Sequence, residues 1–175
     1  SDIAVKLIDS YSDKIEDSIK SRNYKFKECL CILNGDILNS AWQGNTVKGT
    51  PLHNDKINEE MFRTALDSTS KFIERLALIF PKVNVMIVQG NHDGPLLSIL
   101  GMAIEAYFKK VNSVSVNVSS KWAEVTRVDN VGILVTHGGA AFVKSQLPQA
   151  SLKLKSFLQD MWACHAESLV GCKSK

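Results

Sequence analysis

The amino-acid sequence predicts an α/β fold in which buried strands pack against helices. Short apolar runs, typical of buried strands, alternate along the chain with longer segments in which apolar residues recur every three or four positions. Polar, glycine-containing clusters follow three of the runs. This alternation is typical of layered α/β domains. A chain of 175 residues with 45% hydrophobic residues suits a single domain spanning 1–175.

The first half of the chain predicts two helices and two strands. The first helix covers about 3–21, where five apolar residues share one face: Ala4, Ile8, Tyr11, Ile15 and Ile19. Cys29–Leu33 is a buried strand that stops at a polar Asn-Gly-Asp turn. Residues 39–56 show no apolar period and form a long loop, a kind that is often functional. A helix over 57–80, closed by a proline, leads to the buried strand Val83–Val88.

The second half predicts a helix, three strands and a final helix. Pro95 fits the first turn of a helix that runs to about Lys110. The three strands that follow are Val114–Val118, Trp122–Val128 and Val131–Thr136. Asp129 and Asn130 form the tight turn between the last two strands, and the final helix covers Leu152–Cys164.

Composition excludes several classes of protein. The net charge of +3 is too weak to indicate a nucleic-acid or anionic-membrane surface, and no apolar run is long enough to cross a bilayer. No basic and apolar signal segment opens the sequence. The four cysteines lack the spacing of a zinc knuckle or a redox motif. We therefore expect reduced cysteines and a cytoplasmic protein.

Polar side chains follow three of the predicted strands, at the point where each strand ends. Asp36 follows the first, the Gly-Asn-His-Asp segment 90–93 follows the second, and His137 follows the last. Helix crossovers bring such ends to one edge of a sheet, so we expect the three clusters to converge. Asp, Asn and His suit Mn²⁺, Fe or Zn²⁺, whereas a structural zinc site would favour thiolates.

These clusters resemble three motifs of the calcineurin-like metallophosphoesterases. The matching segments are Gly-Asp-Ile-Leu-Asn at 35–39, Gly-Asn-His-Asp at 90–93 and Val-Thr-His-Gly at 135–138. The long helix before the second motif and the three strands before the third look most like those of phage and bacterial phosphoesterases, and the resemblance covers roughly residues 4–140. The resemblance implies a β-sandwich flanked by helices, in four layers α/β/β/α.

The resemblance also implies roles for the matched residues. Asp36 would bridge two divalent ions, with Mn²⁺ favoured over Fe and Zn²⁺. Asn91 and His137 would each bind one of those two ions, the same one. His92 would not be a ligand, but would stabilise the phosphate or protonate the leaving oxygen. Asp93 would orient His92, because a neighbouring carboxylate fixes the tautomer of an imidazole.

The activity that this resemblance implies is hydrolysis of a phosphate ester by a metal-bound hydroxide. The enzyme would be a phosphodiesterase or a phosphatase whose substrate is a nucleotide or a nucleic acid. Two other residues are candidates for contact with substrate, Asn39 shortly after Asp36 and His53 in the loop 39–56. The plainer alternatives are that Asn39 orients the loop and that His53 is an ordinary surface histidine.

Two motifs of the family have no match in the sequence. Asp2 stands near the expected position of the opening Asp-x-His motif, but Ala4 replaces its histidine, and Asp2 fits a helix start. Nothing after His137 matches the closing Gly-His-x-His motif, and the one later histidine, His165, falls in the final helix. The chain would then be part of a longer protein, a truncated product or a degenerate relative. Two rival functions stay open, a non-catalytic binding or scaffold subunit and a nuclease subunit that needs a partner chain.

Overall fold

A computed structural model describes residues 2–22, 25–39, 51, 58–121, 123–138 and 147–165. The chain is a mixed α/β fold with four helices and two sheets in this part. The elements in chain order are α1 (Asp2–Arg22), β1 (Cys29–Asn34), α2 (Asn58–Ile79), β2 (Val83–Val88), α3 (Gly94–Phe108), β3 (Val114–Val118), β4 (Ala123–Val128), β5 (Val131–Thr136) and α4 (Leu147–Cys164).

The strands β1, β2 and β3 form a parallel sheet with β2 in the centre. Cys29 lies opposite Val83 and Asn34 lies opposite Val88, so β1 and β2 end at the same level. Parallel neighbours need a crossover, which α2 supplies between β1 and β2 and α3 between β2 and β3. The polar segments after β1 and β2 therefore leave the sheet side by side.

The strands β4 and β5 form a separate antiparallel hairpin. Val128 lies opposite Val131, and the turn between them is the predicted Asp129-Asn130 pair. Asp129 has a φ of 54°, a left-handed conformation that Asp and Asn tolerate better than most residues. The predicted hairpin is therefore confirmed.

The two faces of β2 pack against different layers. Val83, Val85 and Ile87 lie in the main core with apolar side chains of α2 and α3. Met86 and Val88 point the other way and contact the hairpin, in a smaller core with three partners: Leu30, Ile133 and Val135. Because successive side chains of a strand alternate between faces, the continuous apolar run of β2 serves both cores. The helices α2 and α3, the parallel sheet and the hairpin are stacked in that order.

The structure differs from the predictions in the buried face of α1 and in the bounds of some elements. Tyr11 was predicted on the buried stripe, but 61% of it is exposed, whereas Ser12 is buried and donates to the carbonyl of Ile8. Ser12 is closer than Tyr11 to the Ile8–Ile15–Ile19 line of the helix, and a hydroxyl bonded within its own helix tolerates burial. The helix α4 begins at Leu147, before the predicted start, and α3 ends at Phe108.

Other predictions concern the cysteines, the loop and the membrane. Cys29, Cys31 and Cys164 are free thiols, and burial raises the pKa of Cys31 to about 12. Most of the predicted loop 39–56 lies outside the described residues. In the part of the chain that the structure describes, none of the helices has the length and apolar character needed to cross a bilayer.

Candidate metal centre

Three side chains from three strand ends meet at one point, and we call them the strand-end cluster: Asp36, Asn91 and His137. Nε2 of His137 lies 3.0 Å from Oδ2 of Asp36 and 3.0 Å from Oδ1 of Asn91. Asp36 follows β1, Asn91 follows β2 and His137 follows β5, so both sheets contribute. The structure thus brings together the three residues that the sequence analysis named as metal ligands.

The other ring nitrogen of His137 also faces an acceptor. Nδ1 lies 2.8 Å from the backbone carbonyl oxygen of Asn34. A carbonyl oxygen only accepts, so the hydrogen of this contact must belong to Nδ1. Nε2 faces the oxygens of Asp36 and Asn91, which also accept, so a neutral ring with its one hydrogen on Nδ1 turns a lone pair toward them.

Three acceptor atoms facing one another require a positive charge between them or a proton on one of them. A divalent cation meets this requirement, and carboxylate, amide oxygen and imidazole are all donors that Mn²⁺ or Zn²⁺ accepts. The separations also fit, because adjacent donors of an octahedral ion with bonds of about 2.1 Å lie about 3.0 Å apart. The chemistry and spacing of the strand-end cluster therefore suit a divalent metal ion.

The cluster has two charged or titratable ligands rather than three. Among the residues that the structure describes, no group of three or more His, Cys, Asp or Glu side chains could hold a metal ion. The third donor here is the amide oxygen of Asn91, and asparagine is not one of these four residue types. A carboxylate and amide oxygen with one imidazole form a hard, oxygen-rich set, which favours Mn²⁺ over a thiolate-preferring ion.

The backbone around Asp36 aims its carboxylate. Gly35 and Asp36 have φ values of 69° and 54°, so the chain turns sharply in the left-handed region as β1 ends. A Cβ at Gly90 would collide with the backbone nitrogen and the carboxylate of Asp36, so this close approach requires glycine. The backbone N–H of His92 donates to Oδ1 of Asp36 at 2.9 Å. One oxygen of Asp36 is thereby anchored, and the other points at His137.

Asp93 is fully buried and joins the ends of β1 and β2. Its Oδ2 accepts from the backbone N–H of Ile37 and its Oδ1 from that of Gly90, both at 3.0 Å. Burial raises the pKa of Asp93, these two hydrogen bonds oppose the rise, and the nearby charge of Asp36 adds to it. Asp93 also precedes α3, but its side chain makes no capping bond there, because both oxygens are engaged by the loops.

The expected contact between Asp93 and the His92 ring is not what the structure shows. The ring of His92 instead has its Nδ1 3.3 Å from Oδ1 of Asn39. The physical reason is that Asp93 turns inward to the backbone N–H groups of two loops, which leaves the ring to a neighbour on the β1 side. Asn39, expected as a substrate contact, thus lies beside His92. His53 falls outside the described residues.

Sequence reasoning missed the contribution of Asn34 to this site. Asn34 ends β1, its carbonyl accepts from the His137 ring, and its side-chain amide donates to the carbonyl of Thr136 at 3.2 Å. The available signal was a polar residue closing an apolar strand immediately before the Gly-Asp pair. That signal places Asn34 near the site but names neither partner.

Comparison of the chain with models of protein families, with curated proteins and with solved structures finds no match. The case for this site therefore rests on the convergence of the three strand ends and on the chemistry of their donor atoms. The contacts around His92 and Asp93 add a second group of polar side chains beside it.

Proposed function

We propose that this protein is a metal-dependent phosphoester hydrolase, a phosphodiesterase or phosphatase of the metallophosphoesterase type. The observation that carries the proposal is the strand-end cluster, in which Nε2 of His137 faces two oxygens at 3.0 Å. In α/β folds, ligands bind beyond the carboxyl ends of the strands, and the strand-end cluster lies at that edge of the sheet.

The chain supplies three donors for a divalent ion: Oδ2 of Asp36, Oδ1 of Asn91 and Nε2 of His137. When bound, such an ion polarises a phosphoryl oxygen and lowers the pKa of the water bound to it, so that hydroxide is available near neutral pH. We propose Mn²⁺ as the favoured ion over Fe and Zn²⁺, because two of the three donors are oxygens. We also propose that Asp36 would help to hold a second divalent ion, as the resemblance to the metallophosphoesterases implies.

His92 is the proposed general acid. Its ring lies on the same loop as Asn91, and its contact with Asn39 holds the Nδ1 side. The Nε2 proton would pass to the ester oxygen as the bond from phosphorus to that oxygen breaks, and the attacking water would add its oxygen to phosphorus and release one proton to solvent. Asp93 supports this arrangement indirectly, because it fixes the two loops that hold Asp36 and His92.

The remaining features of the proposal follow from the same resemblance. The helix, sheet and hairpin layers are consistent with the first three layers of an α/β/β/α sandwich. We propose that 1–175 belong to one such domain, that the protein is cytoplasmic, and that its substrate is a phosphate ester such as a nucleotide or nucleic acid. The modest net charge of +3 favours a small or short substrate over a long DNA-binding face.

The direct test is hydrolysis of two simple esters, bis(p-nitrophenyl) phosphate and p-nitrophenyl phosphate, with and without Mn²⁺. We expect release of nitrophenol that requires Mn²⁺ and is lost in Asp36→Asn, which removes one charged ligand without changing the side-chain volume. Asp67→Asn, at an exposed aspartate of α2 that pairs with Lys71, is the matched control and should keep full activity.

The same test distinguishes the rival functions. Mn²⁺ binding without hydrolysis of either ester would favour a binding or scaffold subunit. Cleavage of DNA only after addition of cell extract would favour a nuclease subunit that needs a partner chain. Equal hydrolysis by the wild type and Asp36→Asn would contradict the proposed site.

A further inference from the structure

Asn34 contacts two consecutive residues at the end of β5. Its side-chain Nδ2 donates to the carbonyl of Thr136 at 3.2 Å, and its own carbonyl accepts from Nδ1 of His137 at 2.8 Å. Asn34 is itself the last residue of β1, opposite Val88. The two hydrogen bonds therefore join the end of β1, in the parallel sheet, to the end of β5, in the hairpin.

This tie matters because the core between the two sheets is apolar, around Met86, Val88 and Val135. Ser119, which follows β3, also donates to Glu124 of β4, but the bonds of Asn34 act directly between the ends of β1 and β5. Apolar packing is non-directional, so it does not by itself fix how far β5 extends over β1. A directional bond at the strand ends does.

The ring of His137 has a second constraint on the same side. A Cβ built on Gly35 would lie 2.9 Å from Nδ1 of His137, so the ring is seated directly against the backbone that follows Asn34. Movement of the β5 end by a fraction of an ångström would change both the ring contact and the Nδ1 hydrogen bond.

We infer that Asn34 is a positioning residue of the metal centre. Its side chain holds the end of β5 so that the His137 ring stays against Gly35 and Nε2 stays beside Asp36 and Asn91. The role of Nε2 as a ligand rests on the proposed function. The effect of Asn34 on the position of the ring does not, and it is measurable without metal.

The test is the nuclear Overhauser effect between the His137 ring protons and the α protons of Gly35 in metal-free protein, for the wild type and Asn34→Leu. The variant keeps the backbone carbonyl and a side chain of similar size but cannot donate to Thr136. We expect a clear effect in the wild type and a marked loss of it in Asn34→Leu. Asn117→Leu, the same change at an exposed asparagine of β3, should resemble the wild type.

Mn²⁺ affinity is the second measurement. Groups that orient a metal-binding histidine typically contribute at least about tenfold to affinity, so we expect Asn34→Leu to bind Mn²⁺ about tenfold more weakly. Asn34→Ala, which removes the donor without adding a charge beside Asp36, tests the same point if the leucine variant folds poorly.

The outcomes separate this inference from the proposed function. A wild-type Overhauser effect between His137 and Gly35 in both Asn34 variants would overturn the positioning role, since the backbone carbonyl alone would then suffice. Failure of the wild type to bind Mn²⁺, with the position of the ring still dependent on Asn34, would contradict the metal site and leave the positioning role supported.

Discussion

Two polar clusters of this molecule differ in how their donors and acceptors are matched. Between α1 and α2, the guanidinium of Arg75 donates to Oδ1 of Asp13 at 2.6 Å and to Oε1 of Glu16 at 2.7 Å. At the strand ends, Nε2 of His137 faces the oxygens of Asp36 and Asn91. The first cluster satisfies itself, and the second needs a cation or a proton.

The matched cluster has the properties of a structural contact. Hydrogen bonding to Arg75 lowers the pKa of Glu16, and the bonds donated to Asp13 and Glu16 raise the pKa of Arg75. Each charge has an opposite partner, so the cluster needs no ligand and joins α1 to α2. Short distances between polar atoms occur in both clusters, so they do not by themselves separate a functional cluster from a structural one. What separates them is whether every acceptor faces a donor.

The largest effect that we predict concerns turnover and falls on His92. His92→Ala removes the proposed proton donor but none of the three metal donors. We expect turnover of bis(p-nitrophenyl) phosphate to fall by about 10²- to 10⁴-fold, the usual contribution of a general acid, while bound Mn²⁺ stays within about twofold. Metal analysis and initial rates on the same preparation check both parts.

A histidine outside the site is the control for this change. His165→Ala, at the end of α4, should leave both metal content and turnover unchanged. Loss of bound Mn²⁺ in His92→Ala would make His92 a ligand, contrary to the proposed division of roles. Undiminished turnover would remove it from the mechanism.

A smaller effect, on stability, is predicted for Asp93→Asn. The amide has one oxygen, which can accept from only one of the two N–H groups, those of Ile37 and Gly90. Its NH₂ group then faces the other N–H group, and we expect this mismatch to lower the free energy of unfolding by about 1–3 kcal/mol. Urea denaturation of both proteins at neutral pH measures this difference.

The pH dependence of that difference has a definite sign. Because the folded-state pKa of Asp93 is raised, the folded protein holds this proton more tightly than the unfolded chain does. The stabilisation of the fold by this proton is fully present below the ordinary aspartate pKa and is lost as pH rises through the raised pKa of Asp93. The gap between the wild type and Asp93→Asn should therefore be wider in acid than at about pH 7. A gap that widens with rising pH would contradict the assignment.

The smallest effect is predicted for the matched cluster. Arg75→Met keeps the length of the side chain and removes its charge, so we expect a slight fall in the urea midpoint that shrinks in high salt. Mn²⁺ binding and turnover should be unchanged, because Arg75 contacts α1 and not the strand ends. Reduced Mn²⁺ affinity in Arg75→Met would break the distinction between the two clusters.

The parts of the fold that the sequence predicts are those in which local pattern and packing agree. The strand Val83–Val88 has the predicted bounds, because it is buried on both faces and reads as an unbroken apolar run. The buried face of α1 was predicted less well, since the burial of Ser12 rather than Tyr11 depends on how α1 meets α2.

The candidate site also has features that the local sequence pattern predicts and features that depend on the tertiary structure. Strand ends place Asp36, Asn91 and His137 at one edge, which residue types and order suffice to predict. The partners of Asp93 and Asn34 were not predictable, because only the tertiary structure brings them close. The bond from Asn34 to Thr136, for example, joins residues 102 positions apart.

The central claim is that the unmatched acceptors of the strand-end cluster bind a divalent cation. Titration of the metal-free protein with Mn²⁺, followed by calorimetry, tests it in three proteins: the wild type, Asp36→Asn and Asp13→Asn. The last variant makes the same substitution in the matched cluster. We predict that the wild type and Asp13→Asn bind at least one ion with equal affinity and that Asp36→Asn binds at least about 100-fold more weakly. Equal binding by Asp36→Asn and the wild type, or none by the wild type, would contradict the account.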